Sequence, residues 1–416
     1  MRILHVNNWH RGFGGSDHAC ARIIELCRRR GLDVEVFERD SKKLPPGLRG
    51  RLRAFAGGIY PRAAVDEFSG VLRSFQPDVV HFHELFPLIS PWILPRCTAE
   101  GIPVVMTCYD FRITCPVATH HNHRRICHDC VGGREYKAVL NNCRKNLPES
   151  AAYALRSAIA RRFGLFANHV SRFIVLTEFS RRWIEDSAKI PAERVAIVPC
   201  IVPAPPSGVA DPAEGAYVAY SGRFAPEKGV HLIIEACRKE GLPLRLAGDK
   251  SSHPAIRPDD DAACVPTPTR EALVEFYRGA RVLAVTSLWE ETFATVLSEA
   301  KSHGIPAIAP RIGAMPNLVE DGVTGLLFEP GNVDELAKKL RLIWDDAALC
   351  RKLGAAGRRD VQENLNEDAC FEGLVNVYEH VVGRGSAGQV MAPRGSQERS
   401  VNISACFEAG ANLKVL

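Results

Sequence analysis

The chain has 416 residues, of which 46% are hydrophobic and 24% are charged. This composition is typical of a globular protein and excludes a mostly disordered or membrane-embedded chain. The net charge of +5 is divided unevenly, with 30 Lys and Arg against 19 Asp and Glu in residues 1–203 and 23 against 29 in the remainder. The imbalance has two interpretations. It is either an incidental difference in surface charge between the two halves of the chain, or the N-terminal half binds an anionic partner, such as a lipid headgroup surface.

The first residues, MRILHVNNW, predict a buried strand and leave no room for a signal peptide. No stretch approaches 18 uninterrupted apolar residues, so we expect no transmembrane helix. Most of the 14 cysteines stand singly among apolar neighbours, as free thiols do in a reducing compartment. These features favour a cytoplasmic protein that can lie peripherally on the inner face of the cell membrane, and we expect no nucleic-acid partner.

Apolar strand-like runs alternate with amphipathic helical stretches, which predicts an α/β fold with parallel sheets. The alternation stops in the Pro- and Gly-rich stretch 202–215, a predicted linker, and then restarts. Two doubly wound Rossmann-like units would leave a ligand cleft at the ends of their strands. We expect an N-terminal unit, a C-terminal unit, a helix crossing back to the first unit and a disordered tail: 1–203, 204–362, 363–383 and 384–416.

Glycines precede the first predicted helix in RGFGGSDHACARIIE (11–25). Gly14 and Gly15 would let the backbone approach a ligand closely, with Ser16 as the cap of the helix. A glycine pair before a helix is more often an ordinary tight turn, and that alternative stays open.

Two basic amphipathic stretches occupy residues 47–62 and 157–172. In the first, Leu48, Leu52, Phe55 and Ile59 have helical spacing among several arginines. Such helices bind anionic membranes, although they can equally well pack on their own domain with solvated arginines.

Histidines and cysteines mark the middle of the N-terminal half. His81 and His83 in VVHFHEL end a predicted strand, where a structural role competes with contact to an acceptor. Four cysteines further on, in a polar loop that also contains His120, His121, His123 and His128, have C-x11-C-x2-C-x12-C spacing: Cys115, Cys127, Cys130 and Cys143. Four thiolates at such spacing can close a structural zinc site. Reduced free thiols and a redox-labile disulfide are the alternatives.

The stretch YSGRFAPEKGVHLIIEA (220–236) predicts a strand, a glycine turn and a helix. Arg223 and Lys228 flank the turn, and two fixed cations there suit the charge of a diphosphate. The competing interpretation is a solvated loop with a surface pair between Glu227 and Lys228.

The stretch WEETFATVLSEAKSHG (289–304) places Glu291 just ahead of a predicted helix and Glu299 within it. We expect the helix to begin near Phe293 with Thr292 as its cap, so that the amides of 293–295 face a diphosphate. Glu291 and Glu299 would then accept hydrogen bonds from hydroxyls on its two sides. Acids near a helix N-terminus are also stabilising by themselves, so the pair alone is weak evidence.

Taken together, the motifs SGRFAPEKG, WEETFATVLSEA, GIPAIAPRIGAMPNLVEDGVTGLLFEPGN and the N-terminal GG resemble glycosyltransferase family 4. The resemblance covers about residues 1–382, and TCYDFRITCPVATHHNHRRICHDCVGG (107–133) resembles a subset that builds bacterial surface polysaccharides. It implies the GT-B fold and retaining transfer of a sugar from a nucleotide-diphosphate donor, UDP-linked, to a glycan or lipid-linked acceptor. It implies no metal or other cofactor in catalysis.

The resemblance also implies roles for individual residues. Arg223 and Lys228 would neutralise the donor diphosphate, and Glu291 would contact the transferred sugar. The backbone amides of Phe293, Ala294 and Thr295 would bind the phosphate. Glu299 would bind the ribose, and Gly15, with its neighbour Gly14, would allow close approach of the donor.

One position departs from the family pattern. Where many relatives have a His after the fourth strand of this domain, this chain has Tyr109, followed by Asp110. Tyrosine is a poor base near neutral pH, since its ordinary pKa is about 10, and Asp110 could assist it. The departure leaves two alternatives to a transferase open: a GT-B nucleotide-sugar 2-epimerase and a catalytically silent nucleotide-sugar-binding partner.

Overall fold

The computed structural model describes residues 1–12, 14–203, 208–248, 263–266 and 270–383. The strands in these ranges are β1 Arg2–Trp9, β2 Asp33–Asp40, β3 Val79–Phe82, β4 Val104–Thr107, β5 Arg172–Val175, β6 Val195–Ile197, β7 Tyr217–Ser221, β8 Leu244–Gly248, β9 Ala263–Pro266, β10 Ala280–Ala284, β11 Ala307–Pro310 and β12 Gly325–Phe328. The α-helices are α1 Gly15–Arg29, α2 Gly47–Ile59, α3 Arg62–Phe75, α4 Leu94–Ala99, α5 Lys137–Leu140, α6 Leu147–Arg162, α7 Leu165–His169, α8 Glu178–Ala188, α9 Val230–Glu240, α10 Arg270–Arg278, α11 Thr295–Ser302, α12 Met315–Leu318, α13 Val333–Asp345, α14 Ala347–Asn364 and α15 Glu367–Val382.

The N-terminal strands form one six-stranded sheet in the order β2-β1-β3-β4-β5-β6. Every pairing in it is parallel, and Val6 lies opposite Phe82 in the register of β1 and β3. Ile3 and Leu4, on opposite faces of β1, are both fully buried. Helices therefore cover both faces of this sheet, as its continuous apolar runs predict.

The C-terminal strands form a second parallel sheet in the order β12-β11-β10-β7-β8-β9. Its order reverses direction beside β7 and β10, which is where a doubly wound sheet binds its ligand. The prediction of two doubly wound parallel-sheet domains is confirmed.

The last described helix, α15, packs against β3, β4 and α1 of the N-terminal sheet. The hydroxyl of Tyr378 lies 2.7 Å from Nδ1 of His81, and Arg29 Nη2 donates to Glu367 Oε1 at 2.9 Å. The chain thus returns to its first half after completing the second.

Several local expectations differ from the structure. The helix α11 begins at Thr295, later than expected, because Phe293 and Ala294 are buried in the core. Thr292 does not cap it, since its hydroxyl donates to the carbonyl of Tyr109 at 2.6 Å. The cap residue of α1 is Gly14 rather than Ser16.

Strand β9 was not expected from the sequence. The expected tail at 384–416 and part of the linker, residues 204–207, lie outside the described residues. None of the described helices combines the length and the hydropathy that a membrane-spanning segment requires.

Candidate active site

The candidate site forms where the loops after β7 and β10 meet. Lys228, in the first loop, places its Nζ 2.9 Å from Oε1 of Glu291 in the second. The hydroxyl of Ser287 donates to the same carboxylate oxygen. Lys228 also lies over the ring of Trp289, 5.2 Å from its centroid. The structure therefore brings together two residues that are 63 positions apart in the chain. The sequence predicts this contact only indirectly.

Close backbone packing fixes this pair. Gly229 has φ +64°, and a Cβ atom there would lie 2.1 Å from the carbonyl oxygen of Thr286. Gly313 has φ +57°, and a Cβ atom there would lie 2.7 Å from the backbone nitrogen of Glu291. Only glycine meets both demands without strain, so these residues hold the two loops in contact.

The carboxylate of Glu291 is held in its charged form. Its burial alone would raise the pKa, but the charge of Lys228 and the hydrogen bond from Ser287 outweigh burial and leave the pKa below its ordinary value. A buried carboxylate that is charged and oriented is suited to accept hydrogen bonds from sugar hydroxyls.

Arg223 is more exposed than Lys228, with 56% of its side chain accessible. Its Nη2 lies 3.5 Å from Oε1 of Glu227, and its carbonyl accepts a hydrogen bond of 3.2 Å from the Tyr220 hydroxyl. The backbone at Arg223 is thus anchored while the guanidinium remains accessible to a ligand.

The helix α11 starts four residues after Glu291. Phe293 and Ala294, which precede Thr295, pack into the core of the C-terminal domain. The carbonyl of Thr292 accepts hydrogen bonds of 3.1 and 3.4 Å from the hydroxyls of Thr177 and Ser180 in the N-terminal domain. Both domains therefore support the start of this helix, whose first amides are partial positive charges.

Glu299, further along α11, has two partners. Its Oε1 lies 3.6 Å from Nη2 of Arg22 on α1, and its Oε2 accepts a hydrogen bond of 3.2 Å from the Tyr277 hydroxyl. Burial raises the pKa of Glu299 despite the nearby Arg22 charge. Arg22 and Tyr277 were missed in the sequence, where neither has a distinctive motif. The contact of Arg22 shows that α1 extends to Glu299.

The glycines before α1 lie beside a buried carboxylate. The N–H of Gly14 donates to Asp17 Oδ2 at 2.9 Å, and His10 Nδ1 lies 3.2 Å from the same carboxylate. A Cβ atom added at Gly15 would meet nothing within 4 Å. Space is therefore present next to Gly15, as close approach of a ligand requires.

Tyr109 and Asp110 line a cavity of about 140 Å³ between the two domains, opposite Trp289 and Glu291. The Tyr109 hydroxyl lies 2.9 Å from Nδ1 of His83, and burial raises the pKa of this tyrosine well above its ordinary value. The contact with His83 and the raised pKa make a phenolate base at Tyr109 unfavourable at neutral pH.

Asp110 is paired with Arg112, whose Nη2 lies 2.6 Å from Asp110 Oδ2. The same guanidinium lies 3.1 Å from Glu84 Oε2. Arg112 thus bridges two carboxylates at the edge of the N-terminal sheet and balances the charge of one of them.

The two strand-end histidines differ in their surroundings. His81 is fully buried between the Tyr378 hydroxyl and the Thr107 hydroxyl, each at 2.7 Å. His83 links Tyr109 to Nδ1 of His5, which lies 3.0 Å from its Nε2. His81 therefore has structural partners on both nitrogens, whereas His83 connects the cavity wall to the core.

The four spaced cysteines are all buried, and none is in a disulfide. Burial and then the neighbouring sulfurs of Cys115, Cys143 and Cys127 raise the pKa of Cys130 to about 12, so the four lie close together. The backbone amides of residues 117–120 lie against the Cys115 sulfur and lower its pKa, although burial dominates. The four sulfurs do not belong to the described groups whose ligand atoms all lie within 4.8 Å of one another.

Two family models match this chain. "Glycosyl transferase 4-like domain" matches residues 14–200, and "Glycosyl transferases group 1" matches residues 208–360. The chain is 32% identical to D-inositol 3-phosphate glycosyltransferase of Mycolicibacterium smegmatis over 155 residues, 34% of this chain and 36% of that protein. It is 29% identical to an exopolysaccharide phosphotransferase of Streptomyces coelicolor over 215 residues, 48% of this chain and 22% of that protein. The matched regions thus span about a third or less of these relatives.

Solved structures share the fold over most of the chain. Sucrose-phosphate synthase from Thermosynechococcus elongatus superposes with a TM-score of 0.69 at 18% identity, covering 92% of this chain and 100% of that one. Anabaena HepE in complex with UDP and glucose gives a TM-score of 0.63 at 17% identity, with 91% and 100% covered. The two matched models and the two-domain fold together show that this chain is a glycosyltransferase of family 4 with the GT-B fold.

Proposed function

We propose that this enzyme is a retaining hexosyltransferase that uses a UDP-linked sugar to extend a glycan or lipid-linked acceptor of a surface polysaccharide or glycolipid. The observation that carries the proposal is the ion pair of Lys228 and Glu291 at the entrance of α11, beside the cavity between the domains. The complexes of Anabaena HepE with UDP, glucose and UDP-glucose support a UDP-linked donor.

In the proposed complex the diphosphate lies beside Lys228, Arg223 and the first amides of α11, including that of Thr295. The bond from the anomeric carbon to the diphosphate breaks, which leaves negative charge on the phosphate oxygen. Two cations and a helix N-terminus stabilise that charge where it develops, and this is the largest electrostatic contribution such a site can make. Glu291 then accepts hydrogen bonds from the transferred sugar.

The acceptor hydroxyl must transfer its proton to a base during the reaction. Tyr109 has a raised pKa, and Asp110 is neutralised by Arg112, so neither is arranged as a strong base. We infer that the departing phosphate oxygen takes the proton while the acceptor oxygen attacks from the same face of the sugar. Tyr109 and Asp110 would then position the acceptor by hydrogen bonds, and attack on that face retains the anomeric configuration.

Glu299 would bind the ribose hydroxyls of the donor. Its oxygens contact Arg22 and Tyr277, which orient the carboxylate. The open space beside Gly15 would admit the donor from the N-terminal side.

For the acceptor we propose an anionic membrane as the surface from which it is presented. Seven of the ten large apolar side chains that are most exposed in the described residues lie between positions 55 and 163. They belong to α2, α5, α6 and the residues that flank them, where α2 and α5 pack against α6: Phe55, Tyr60, Tyr136, Leu140, Leu147, Leu155 and Phe163. Exposed arginines surround them, including Arg53 and Arg162. We call these seven side chains the apolar surface; the side chains of Leu48 and Leu52 lie outside those described. Apolar side chains among arginines are typical of peripheral binding to anionic lipid.

We further propose that Cys115, Cys127, Cys130 and Cys143 bind a structural zinc ion. Their shared burial and their spacing support this, and Cys130 and Cys143 pack in one small cluster. Zinc would cross-link a long loop that has little core of its own.

The proposed function is tested by incubating the full chain with a panel of UDP-, GDP- and dTDP-linked hexoses. Thermal shift identifies the donor, since a ligand at 100 times its Kd adds about 2.7 kcal/mol of stability. Transfer to an acceptor with retained configuration, or donor hydrolysis, supports the proposal. Interconversion of two nucleotide sugars would instead identify a 2-epimerase, and binding without turnover a silent partner; either result overturns it.

A further inference from the structure

A second group of ligating atoms lies at the junction of the two domains, next to the candidate site. His120 and His128 belong to the loop between β4 and α5, whereas Glu290 belongs to the loop after β10. His128 Nε2 lies 2.8 Å from Glu290 Oε2, and His120 Nδ1 lies 3.7 Å from the same oxygen. All three ligating atoms lie within 4.8 Å of one another.

The contacts of His120 suit a proton on its Nε2. This atom lies 2.9 Å from the hydroxyl oxygen of Thr114, which also accepts a hydrogen bond from Trp183 Nε1 at 2.9 Å. A hydroxyl oxygen has two acceptor lone pairs, and the proton of Thr114 has an acceptor in the carbonyl of Phe111 at 3.3 Å. In the tautomer with Nε2 as the donor to Thr114, Nδ1 has a lone pair.

That lone pair faces a carboxylate. The side chain of His120 is only 1% exposed, and its Nδ1 has no hydrogen-bond partner. A neutral nitrogen lone pair and a carboxylate oxygen 3.7 Å apart repel each other, and the repulsion ends when a cation lies between them.

The arrangement has the features of a metal site. Two imidazoles and one carboxylate form a zinc ligand set that leaves a fourth position open. The hydrogen bond to Thr114 and the stacking of Phe111 on the ring of His120, with centroids 4.3 Å apart at 7°, fix the orientation of that ligand. Such outer contacts are what a ligating histidine requires.

We propose that His120, His128 and Glu290 bind a divalent transition-metal ion that ties the loop between β4 and α5 to the loop of Glu291. The ligating atoms would be His120 Nδ1, His128 Nε2 and Glu290 Oε2. The ion takes no part in sugar transfer, and its site is distinct from the four cysteines. Because Glu290 directly precedes Glu291, the ion fixes the backbone that presents the sugar-binding carboxylate.

The test is cobalt(II) titration of the full chain after treatment with a chelator. Cobalt bound by histidine and carboxylate gives visible absorption without the near-ultraviolet charge-transfer band that thiolate ligands produce, so the two sites are read separately. We expect H128A and E290Q each to weaken this binding about a hundredfold, since each removes one ligand. His128 is half exposed, so its removal leaves the core intact.

The matched control is H121A, which changes a histidine of the same loop outside the cluster and should bind cobalt normally. H120Q should abolish the signal and leave the thiolate band unchanged. Cobalt absorption that is entirely of thiolate type, or binding unchanged in both H128A and E290Q, would overturn the proposal. Neither result depends on whether the chain transfers a sugar.

Discussion

The proposed chemistry depends most directly on Lys228 and Glu291, because their ion pair lies beside the position proposed for the diphosphate. Lys228 is only 19% exposed, and its backbone carbonyl accepts a hydrogen bond of 3.0 Å from Thr286. A cation held in this way needs little reorganisation when the leaving group becomes charged. Arg223 is more exposed, with 56% of its side chain accessible.

We therefore predict that K228A lowers kcat by about a hundredfold to a thousandfold, the loss typical of removing one preorganised charge-stabilising group. E291Q should lower kcat to a similar degree, since it keeps the shape but removes the charge that accepts sugar hydrogen bonds. Initial rates with a saturating donor measure the effect. The matched control is K239A, which removes a surface lysine of α9 that pairs with Asp334 of α13. Near-normal rates in both K228A and E291Q, with unchanged Tm, would refute the site assignment.

At the scale of elements, the alternation of apolar strand-like runs with helical stretches predicted eleven of the twelve described strands. It did not predict β9. The predicted start of α11 was also wrong, because local capping rules favoured Thr292 as the cap. In the structure the hydroxyl of Thr292 instead donates a hydrogen bond to the carbonyl of Tyr109 in the other domain. Such tertiary contacts are invisible in a single sequence.

The sequence likewise predicted some residues of the candidate site and missed others. Motifs indicated Lys228, Glu291 and Glu299, whose spacing follows from local structure. Arg22 and Glu290 gain importance only because distant segments meet them, Arg22 at Glu299 and Glu290 at two histidines. The sequence contained no periodic or spacing signal for these contacts.

The loop between β4 and α5 is the element for which a metal matters most. We predict that the full chain purified in the presence of zinc binds one zinc ion on its four cysteines, and that C127S/C130S contains one zinc ion fewer than the native chain. Because zinc ligation contributes directly to folding, the double variant and the chelated protein should both melt at lower temperature. Elemental analysis and thermal unfolding provide the measurements. As a control, C237S changes a buried cysteine of α9 that lies outside the four. Equal zinc contents of C127S/C130S and the native chain would contradict the proposal.

At the scale of the whole molecule, three buried histidines connect β1, β3 and α15. Burial and then the charge of Arg28 lower the pKa of His5 to about 3, from an ordinary value of 6.5. Burial also lowers the pKa values of His81 and His83. Since the folded pKa lies below the unfolded one, the unfolded chain binds more protons below pH 6.5. Folding stability is therefore lost progressively as the pH falls from about 6.5 towards 3.

We predict that His5 alone lowers the free energy of unfolding by about 2 kcal/mol between pH 7 and pH 5. The measurement is the difference in this pH dependence between the native chain and H5Q, from denaturant unfolding. The difference isolates His5 from carboxylates such as Glu84, whose burial raises its pKa to about 7 and acts in the opposite sense. H231Q, which changes an exposed histidine, serves as the control. Identical pH dependence of the native chain and H5Q would show that His5 titrates normally in the folded protein.

The uneven charge of the chain and the apolar surface predict how the whole molecule meets its acceptor. The N-terminal half has the excess of Lys and Arg, and the exposed apolar side chains of α5 and α6 lie among them. Binding to vesicles of phosphatidylcholine with phosphatidylserine should therefore exceed binding to phosphatidylcholine alone and should weaken as salt screens the charges. L155S should lower the partition about tenfold, because burying a leucine is worth roughly 1.5–3 kcal/mol. L342S is the matched control, since Leu342 on α13 is 49% exposed and Leu155 is 48% exposed. Equal losses in L155S and L342S, or equal binding to neutral and anionic vesicles, would assign the apolar surface to a role other than membrane contact.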